Sequence, residues 1–287
     1  MVELEHAREL LGSMGLETAA TLLDAQMERS LHAEHTYAQF LGGLLTSEQQ
    51  ERGRKGEEMR TKLARLPHRK SLEEFDFSFQ PSIDKRQIDE LVTLAFAARA
   101  ENIILLGPPG VGKTHLAVGI SMKALKAGLT VYYTSLARLI EDLKRALEQN
   151  RLERRWRVYL RPAVLVIDEV GYMQLNRQEA ELFFRLVSER YEHGGIILTS
   201  NKYFSDWGEL LSDTVNATAL LDRLLHHAHV INIRGQTYRL KERLKTGVQT
   251  VPPAGYSGGG VTGARITGDV GHFRPAFWVK IFPVLTK

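Results

Sequence analysis

Eight consecutive residues, Gly107, Pro108, Pro109, Gly110, Val111, Gly112, Lys113 and Thr114, match the pattern G-x-x-x-x-G-K-[ST], and they sit between an apolar run and an amphipathic segment. Strand, glycine-rich turn and helix in that order form a phosphate cradle. Successive backbone N–H groups can converge on an anion, and the helix that follows adds its positive end. Lys113 then reaches the β- and γ-phosphates of a nucleoside triphosphate, the Thr114 hydroxyl ligates Mg2+, and His115 closes the stretch assigned to the nucleotide.

A second group of residues says what happens to the phosphate. Asp168 and Glu169 end the apolar run "AVLVIDE", which puts both at the edge of a sheet where ligands sit. Asp168 suits Mg2+, directly or through water. Glu169 suits the orientation and deprotonation of an attacking water, so the pair points to hydrolysis more than to transfer onto a small molecule. Asn201, at the end of "ILTSN", offers an amide to the same water, although an asparagine there equally caps a turn. An arginine commonly neutralises transition-state charge in such reactions, often from a neighbouring subunit. Arg223 in "ATALLDRLLHHAHVI" is the candidate finger, with Arg239 in "GQTYRL" a second phosphate sensor within the same subunit. His226, His227 and His229 are not spaced i,i+4 and read as packing or surface residues rather than metal ligands.

The elements that must position these groups follow from periodicity. Apolar residues at helical spacing between Leu4 and Leu45 predict two or three short packed helices, and the Ser47 to Gln50 spacing resembles a capping box that starts another, ending before Pro67. "FDFSF" (75–79) alternates aromatic and polar residues, the pattern of an extended segment with three rings on one face, and its favoured reading is a linker pinned to the core. A helix over 83–99 leads into a strand at 102–106. Helix 113–127, strand 130–133, helix 136–148, strand 163–169, a helix from the Asn176/Glu179 cap to about 193, and strand 196–200 complete the alternation. Strands alternating with helices specify an α/β fold, a parallel sheet covered by helices on both faces. The expected division is an N-terminal helical domain (1–68), a linker and leading helix (69–100), a nucleotide-binding domain (101–250) and a Gly/Pro-rich irregular tail (251–287).

At 287 residues and 43% hydrophobic content the chain can bury one substantial core and a smaller module. It has no cysteine, which removes disulfides and thiolate zinc sites and fits a reducing cytoplasm. No apolar run approaches the roughly 20 residues of a membrane span, and the charged start lacks a signal-peptide core. The formal charge is +4, and the basic residues concentrate in two places. Residues 51–70 hold eight Lys or Arg against three Glu, and residues 151–161 hold five Arg against one Glu. Such clusters mark an anionic polymer such as DNA, or solvated helix faces.

Taken in order, "GPPGVGKTH", "VLVIDE", "LTSN" and "ALLDRL" resemble an AAA+ ATPase of the helicase-loader branch. The front "GLETAATLLDAQMERS…FLGGLLTSEQ", the linker "FDFSFQPSID" and the end "IRGQTYRLKERL" are similar to those of the IstB-type transposition helper ATPases. The resemblance covers about residues 5–246. It implies an AAA+ P-loop fold without the usual C-terminal helical lid, with Walker A at 107–114, Walker B at 164–169, sensor 1 at Asn201 and the arginine finger at Arg223. It further implies ATP as the nucleotide, ATP-dependent self-assembly on double-stranded DNA with ATP at subunit junctions, and stimulation of a partner transposase. In the loader branch the helix and loop before the second motif strand face nucleic acid. Here Arg145, Arg151, Arg154, Arg155 and Arg157 take that place, with Trp156 among them, and arginine contacts to phosphate give weak sequence preference and strong salt dependence. The family pattern does not account for the tail after residue 250.

Two other functions share the phosphate loop. A replicative helicase loader shares the ATPase body and differs in partner and front module, and a small-molecule kinase lacks a use for the helical front, the Asp168–Glu169 pair and the basic segments.

Overall fold

A five-stranded, all-parallel sheet in the order β2-β3-β4-β1-β5 organises the chain. The computed structural model describes residues 2–211 and 214–238, so Arg239 and the Gly/Pro-rich tail lie outside the described residues. In chain order the elements are α1 (Val2–Ser13), α2 (Glu17–His32), α3 (Tyr37–Ala64), α4 (Lys85–Val92) and α5 (Ala95–Ala98), followed by β1 (Asn102–Leu106), α6 (Lys113–Lys126), β2 (Val131–Ser135), α7 (Leu136–Glu148) and α8 (Leu152–Leu160). Then come β3 (Val164–Val170), α9 (Arg177–Arg190), β4 (Gly195–Ser200), a short 3-10 turn at Phe204–Asp206, α10 (Trp207–Leu210), α11 (Thr214–Leu225) and β5 (Ala228–Asn232). No helical lid follows β5 among the described residues.

Strand periodicity divides the core in two. Ile103 and Leu105 pack with Ala64, Leu72, Phe75, Ile88, Phe96 and Leu116 on one face, while Ile104 and Leu106 pack with residues of α7 to α11 on the other. Because both faces are covered, the central strands read as continuous apolar runs. A buried asparagine locks their order. Asn102 donates to the Leu224 carbonyl (3.0 Å) and accepts from the Ile196 amide (3.0 Å), so one side chain ties β1 to both β4 and the end of α11.

The front differs from its sequence reading in one respect. Ser47 does not start a helix; its hydroxyl donates to the Gly43 carbonyl inside α3, which runs unbroken for 28 residues. The capping box belongs instead to Thr36 and Gln39, eleven residues earlier. α1, α2 and α3 share a small core around Ala19, Leu23 and Leu44. Leu16, at the N-cap of α2, gives no side-chain cap, and Glu48 of α3 takes over that task. Its carboxylate accepts from the Thr18 (2.8 Å) and Ala19 (3.0 Å) amides.

Two further corrections concern residues 75–99. "FDFSF" is a run of turns rather than an extended strand, with Phe79 N–H donating to the Asp76 carbonyl and Gln80 N–H to that of Phe77. Phe75 is buried, Phe77 stacks on it at 4.8 Å, and Phe79 packs on Tyr238 at 4.6 Å, so the segment is pinned to the body. The helix expected over 83–99 is broken into α4 and α5 by Leu94, whose φ of 64° ends the first helical run. The Asn176/Glu179 capping box is present, and α7 spans the expected residues 136–148.

Candidate nucleotide site

The strand order explains how distant residues meet. β4 lies between β1 and β3, so the loop after β1, the carboxyl end of β3 and the end of β4 converge on one edge of the sheet. They line a cleft of about 410 Å³ that also receives Lys70, Glu74 and Asp76 from the linker and Tyr238 from beyond β5.

Glycine is required at two places in the loop. Gly107 has φ 147°, and a Cβ there would meet the Ile233 carbonyl oxygen at 2.3 Å; Gly112 has φ 100°, and a Cβ there would meet the Phe75 ring at 2.6 Å. Gly112 is also the N-cap of α6, so the loop runs directly into the positive end of a helix. Lys113 is 8% exposed, and its ammonium donates to the Gly107 (2.6 Å) and Pro108 (2.8 Å) carbonyls, which holds a cation across the mouth of the loop. His115 faces the linker. Its Nε2 donates to the Ser71 carbonyl at 2.7 Å, and its ring stacks edge-on against Phe75 at 5.3 Å.

Asp168 is the best-held group of the site. It is 3% exposed, the Thr114 hydroxyl lies 3.1 Å from each of its oxygens, and the Tyr133 and Thr199 hydroxyls both donate to it. Burial, and then the Asp168 charge, push the Tyr133 phenol far above its ordinary pKa, so it stays a donor. Sequence reasoning missed Tyr133 and Thr199. Their only signal was position: β2 pairs with β3 so that Ser135 lies opposite Asp168, and Thr199 precedes the "SN" of β4.

Glu169 is the strained residue. Its φ is 62°, in the left-handed region that costs a non-glycine residue about 1–2 kcal/mol, and the β3–β4 register is irregular at this point. The turn leaves Asp168 buried while Glu169 is exposed and lines the cleft. The Glu169 amide donates to Thr199 Oγ1 at 3.1 Å, so one threonine hydroxyl holds both acidic residues. Asn201 lines the same cleft, and its buried Oδ1 has no hydrogen-bond partner among the described residues. The donor set fits a magnesium nucleotide: a hydroxyl and a carboxylate side by side, a close-approach glycine loop and a buried lysine.

Of the remaining predicted residues, Arg239 lies outside the described residues, and Arg223 and the arginines of α7 and α8 do not line this cleft. Arg223 lies on α11, packed over the Phe184 ring at 4.7 Å and hydrogen bonded to the Ser188 hydroxyl, away from its own chain's phosphate loop. On α8, Arg151, Arg154 and Arg157 are exposed. Arg155 is half-buried, paired with Asp142 and stacked over Tyr159, so it braces α8 against α7 rather than facing solvent. Arg145 pairs with Glu141 on the surface of α7. Trp156 is buried at 2% exposure, hydrogen bonded to Glu189 and covered by Arg185, so it is a core residue and not a stacking platform. Helical spacing places exposed Arg161 on the same ridge as Arg154 and Arg157, an arginine the sequence reading left out.

The family described as "IstB-like ATP binding protein" matches residues 9–246. The chain belongs to that family. It is 51% identical to "Insertion sequence IS21 putative ATP-binding protein" of Pseudomonas aeruginosa, over 84% of this chain and 91% of that protein. It is 44% identical to "Insertion sequence IS5376 putative ATP-binding protein" of Geobacillus stearothermophilus, over 83% and 95%. Among solved structures, "Replication initiator DnaA bound to AMPPCP and single-stranded DNA" superposes with a TM-score of 0.50 at 22% identity, over 63% of this chain and 56% of that one. That likeness shows the AAA+ P-loop fold for this IstB-like chain. No described helix is long and apolar enough to cross a membrane.

Proposed function

We propose that this IstB-like chain is a Mg-dependent ATPase that assembles on double-stranded DNA and assists the transposase of an insertion sequence. The observation that carries the enzymatic part is the split at the end of β3: Asp168 is locked beside Thr114, and the neighbouring Glu169 is turned by a strained backbone into the same cleft. Lys113 and the loop N–H groups bind the triphosphate. Thr114 and Asp168 hold Mg2+, which supplies charge neutralisation on the phosphates. Glu169 takes the proton of the attacking water, and the Asn201 side chain, whose Oδ1 has no partner among the described residues, orients that water.

Arg223 does not line its own chain's cleft and is engaged by Phe184 and Ser188, so in this reading it serves the cleft of a neighbouring subunit, and Arg239 senses phosphate within its own. Hydrolysis is then a property of the homo-oligomer, with ATP at subunit junctions. The exposed ridge Arg151, Arg154, Arg157 and Arg161, with Arg145 beside it, supplies phosphate contacts that carry no sequence information. Arg155 contributes by holding that ridge in place. The names of the relatives, both ATP-binding proteins of insertion sequences, support a transposase partner and a cytoplasmic setting.

The test is Glu169→Gln. ATP binding and ATP-dependent assembly on DNA persist while turnover is lost; hydrolysis at the wild-type rate would remove Glu169 from the role of base.

A further inference from the structure

Away from the nucleotide cleft, the fold brings together three residues whose sequence spacing gave no such sign. Glu192, His226 and His227 each place a ligand atom within 4.8 Å of the other two. Glu192 follows the end of α9 with a φ of 60°, a left-handed turn that carries its carboxylate toward the turn between α11 and β5. The two imidazole rings lie 4.1 Å apart at 62° to each other, splayed rather than stacked. His229 is not part of the group; it is paired with Glu101 at 2.8 Å.

Tyr191 supplies the supporting contact. Its hydroxyl is 2.7 Å from His226 Nδ1, which leaves Nε2 as the ring atom for a ligand. A metal-bound imidazole characteristically donates its other N–H to an oxygen, and that contact fixes ring orientation and tautomer. The backbone under Tyr191 is held as well. Arg190, 1% exposed, gathers the carbonyls of Tyr159 (2.8 Å) and Gly195 (2.9 Å) one residue before Tyr191.

We propose that Glu192, His226 and His227 form a binding site for a divalent transition-metal ion of the zinc class, which ties the end of α9 to the turn after α11. Two imidazoles and one carboxylate are the donor set of this class and not of Ca2+ or Mg2+, which take oxygen ligands. Zn–N bonds of about 2.0–2.1 Å put tetrahedral ligand atoms about 3.3 Å apart, so rotation of exposed side chains closes the present spacing. A water completes the shell. The ion clamps the two helices that Arg223 already joins through Phe184 and Ser188, so its effect is to stiffen the mounting of that arginine.

The experiment uses the full chain, free of any histidine tag and treated with chelator, titrated with ZnCl2 by calorimetry and with CoCl2 by visible absorption. The expected result is one Zn2+ per chain at micromolar affinity or tighter, with Co2+ giving the visible bands of a low-coordinate nitrogen and oxygen site. Glu192→Ala and His227→Ala each weaken binding at least about tenfold, and Tyr191→Phe weakens it about tenfold by removing the orienting oxygen alone. His32→Ala, on an exposed face of α2, leaves it unchanged. Circular dichroism confirms that each variant is folded. Unchanged zinc affinity in the Glu192→Ala and His227→Ala variants, or no Co2+ band in the wild-type protein, overturns the proposal.

Discussion

Thr199→Val probes the centre of the nucleotide cleft with almost no change in shape. The Thr199 hydroxyl donates to the buried Asp168 carboxylate and accepts from the Glu169 amide at 3.1 Å, in a place where Thr199 is 1% exposed. Losing a hydrogen bond to a charged group costs about 1.5–3 kcal/mol, and leaving the Glu169 amide without its acceptor adds about 1 kcal/mol, so about 3 kcal/mol is at stake. For a body of this size that lowers Tm by about 6–12 °C. Asp168 retains Thr114 and Tyr133, so the fold survives, but the strained turn at Glu169 loses its anchor. Turnover should therefore fall about tenfold through kcat with KM for ATP little changed, as when an orienting partner of a ligand is removed. Thr199→Ser keeps the hydroxyl and should restore both properties. Differential scanning calorimetry and a steady-state phosphate-release assay read the two effects. A Thr199→Val protein with wild-type Tm and kcat would refute the reasoning, and lost stability with intact kcat would refute its catalytic half.

Three further outcomes follow from the geometry. Glu48 has its pKa lowered first by the Ala19 amide it accepts from, opposed by partial burial and aided by Arg52. Its contribution is therefore present above the unfolded value of about 4.3 and is lost as pH falls through the lower folded value. Hydrogen exchange at Thr18 and Ala19 should rise over that acid range, and Glu48→Gln should flatten the dependence; an unaltered profile would exclude this cap. Replacing Arg154 and Arg157 together by Ala should weaken DNA binding on every sequence and reduce the slope of log K against log salt by about 0.9 per contact, hence about 1.8. An unchanged slope would shift the DNA face to residues 51–70. Arg223→Ala, mixed into wild-type oligomers, should silence only the cleft of the adjacent subunit, and an equal defect measured in isolated monomers would exclude action between subunits.

How much of this was legible in the sequence depends on whether the determining contact is local. The phosphate loop, the Asn176 capping box and α7 are set by residues within one turn or one strand of each other, and they read directly. Ser47 misled because a hydroxyl three residues before a glutamine satisfies the same spacing mid-helix as at a start, where it simply bonds back to Gly43. The break at Leu94 has no proline or glycine to announce it, and the rings of "FDFSF" are placed by Gly112, His115 and Tyr238 from distant positions. β5 escaped notice because "AHVIN" is short and half-polar, and it becomes a strand by pairing with β1. Tyr133, Thr199 and the Glu192–His226–His227 group are contacts across elements, for which the chain carries no periodic mark.

The linker that packs Phe75 against Gly112 makes one wall of the cleft from residues that precede the sheet in the chain. Tyr238 clinches it from the other side, with its amide on the Gly110 carbonyl and its hydroxyl on that of Asp76. α3 delivers Ala64 to the same core cluster as Phe75 and Leu116. The helical front is thus no detachable handle. A truncation at residue 81 would discard part of the nucleotide's own enclosure, and chimaeras that exchange fronts between relatives should be joined before Ala64, inside α3, if the cradle is to keep its shape.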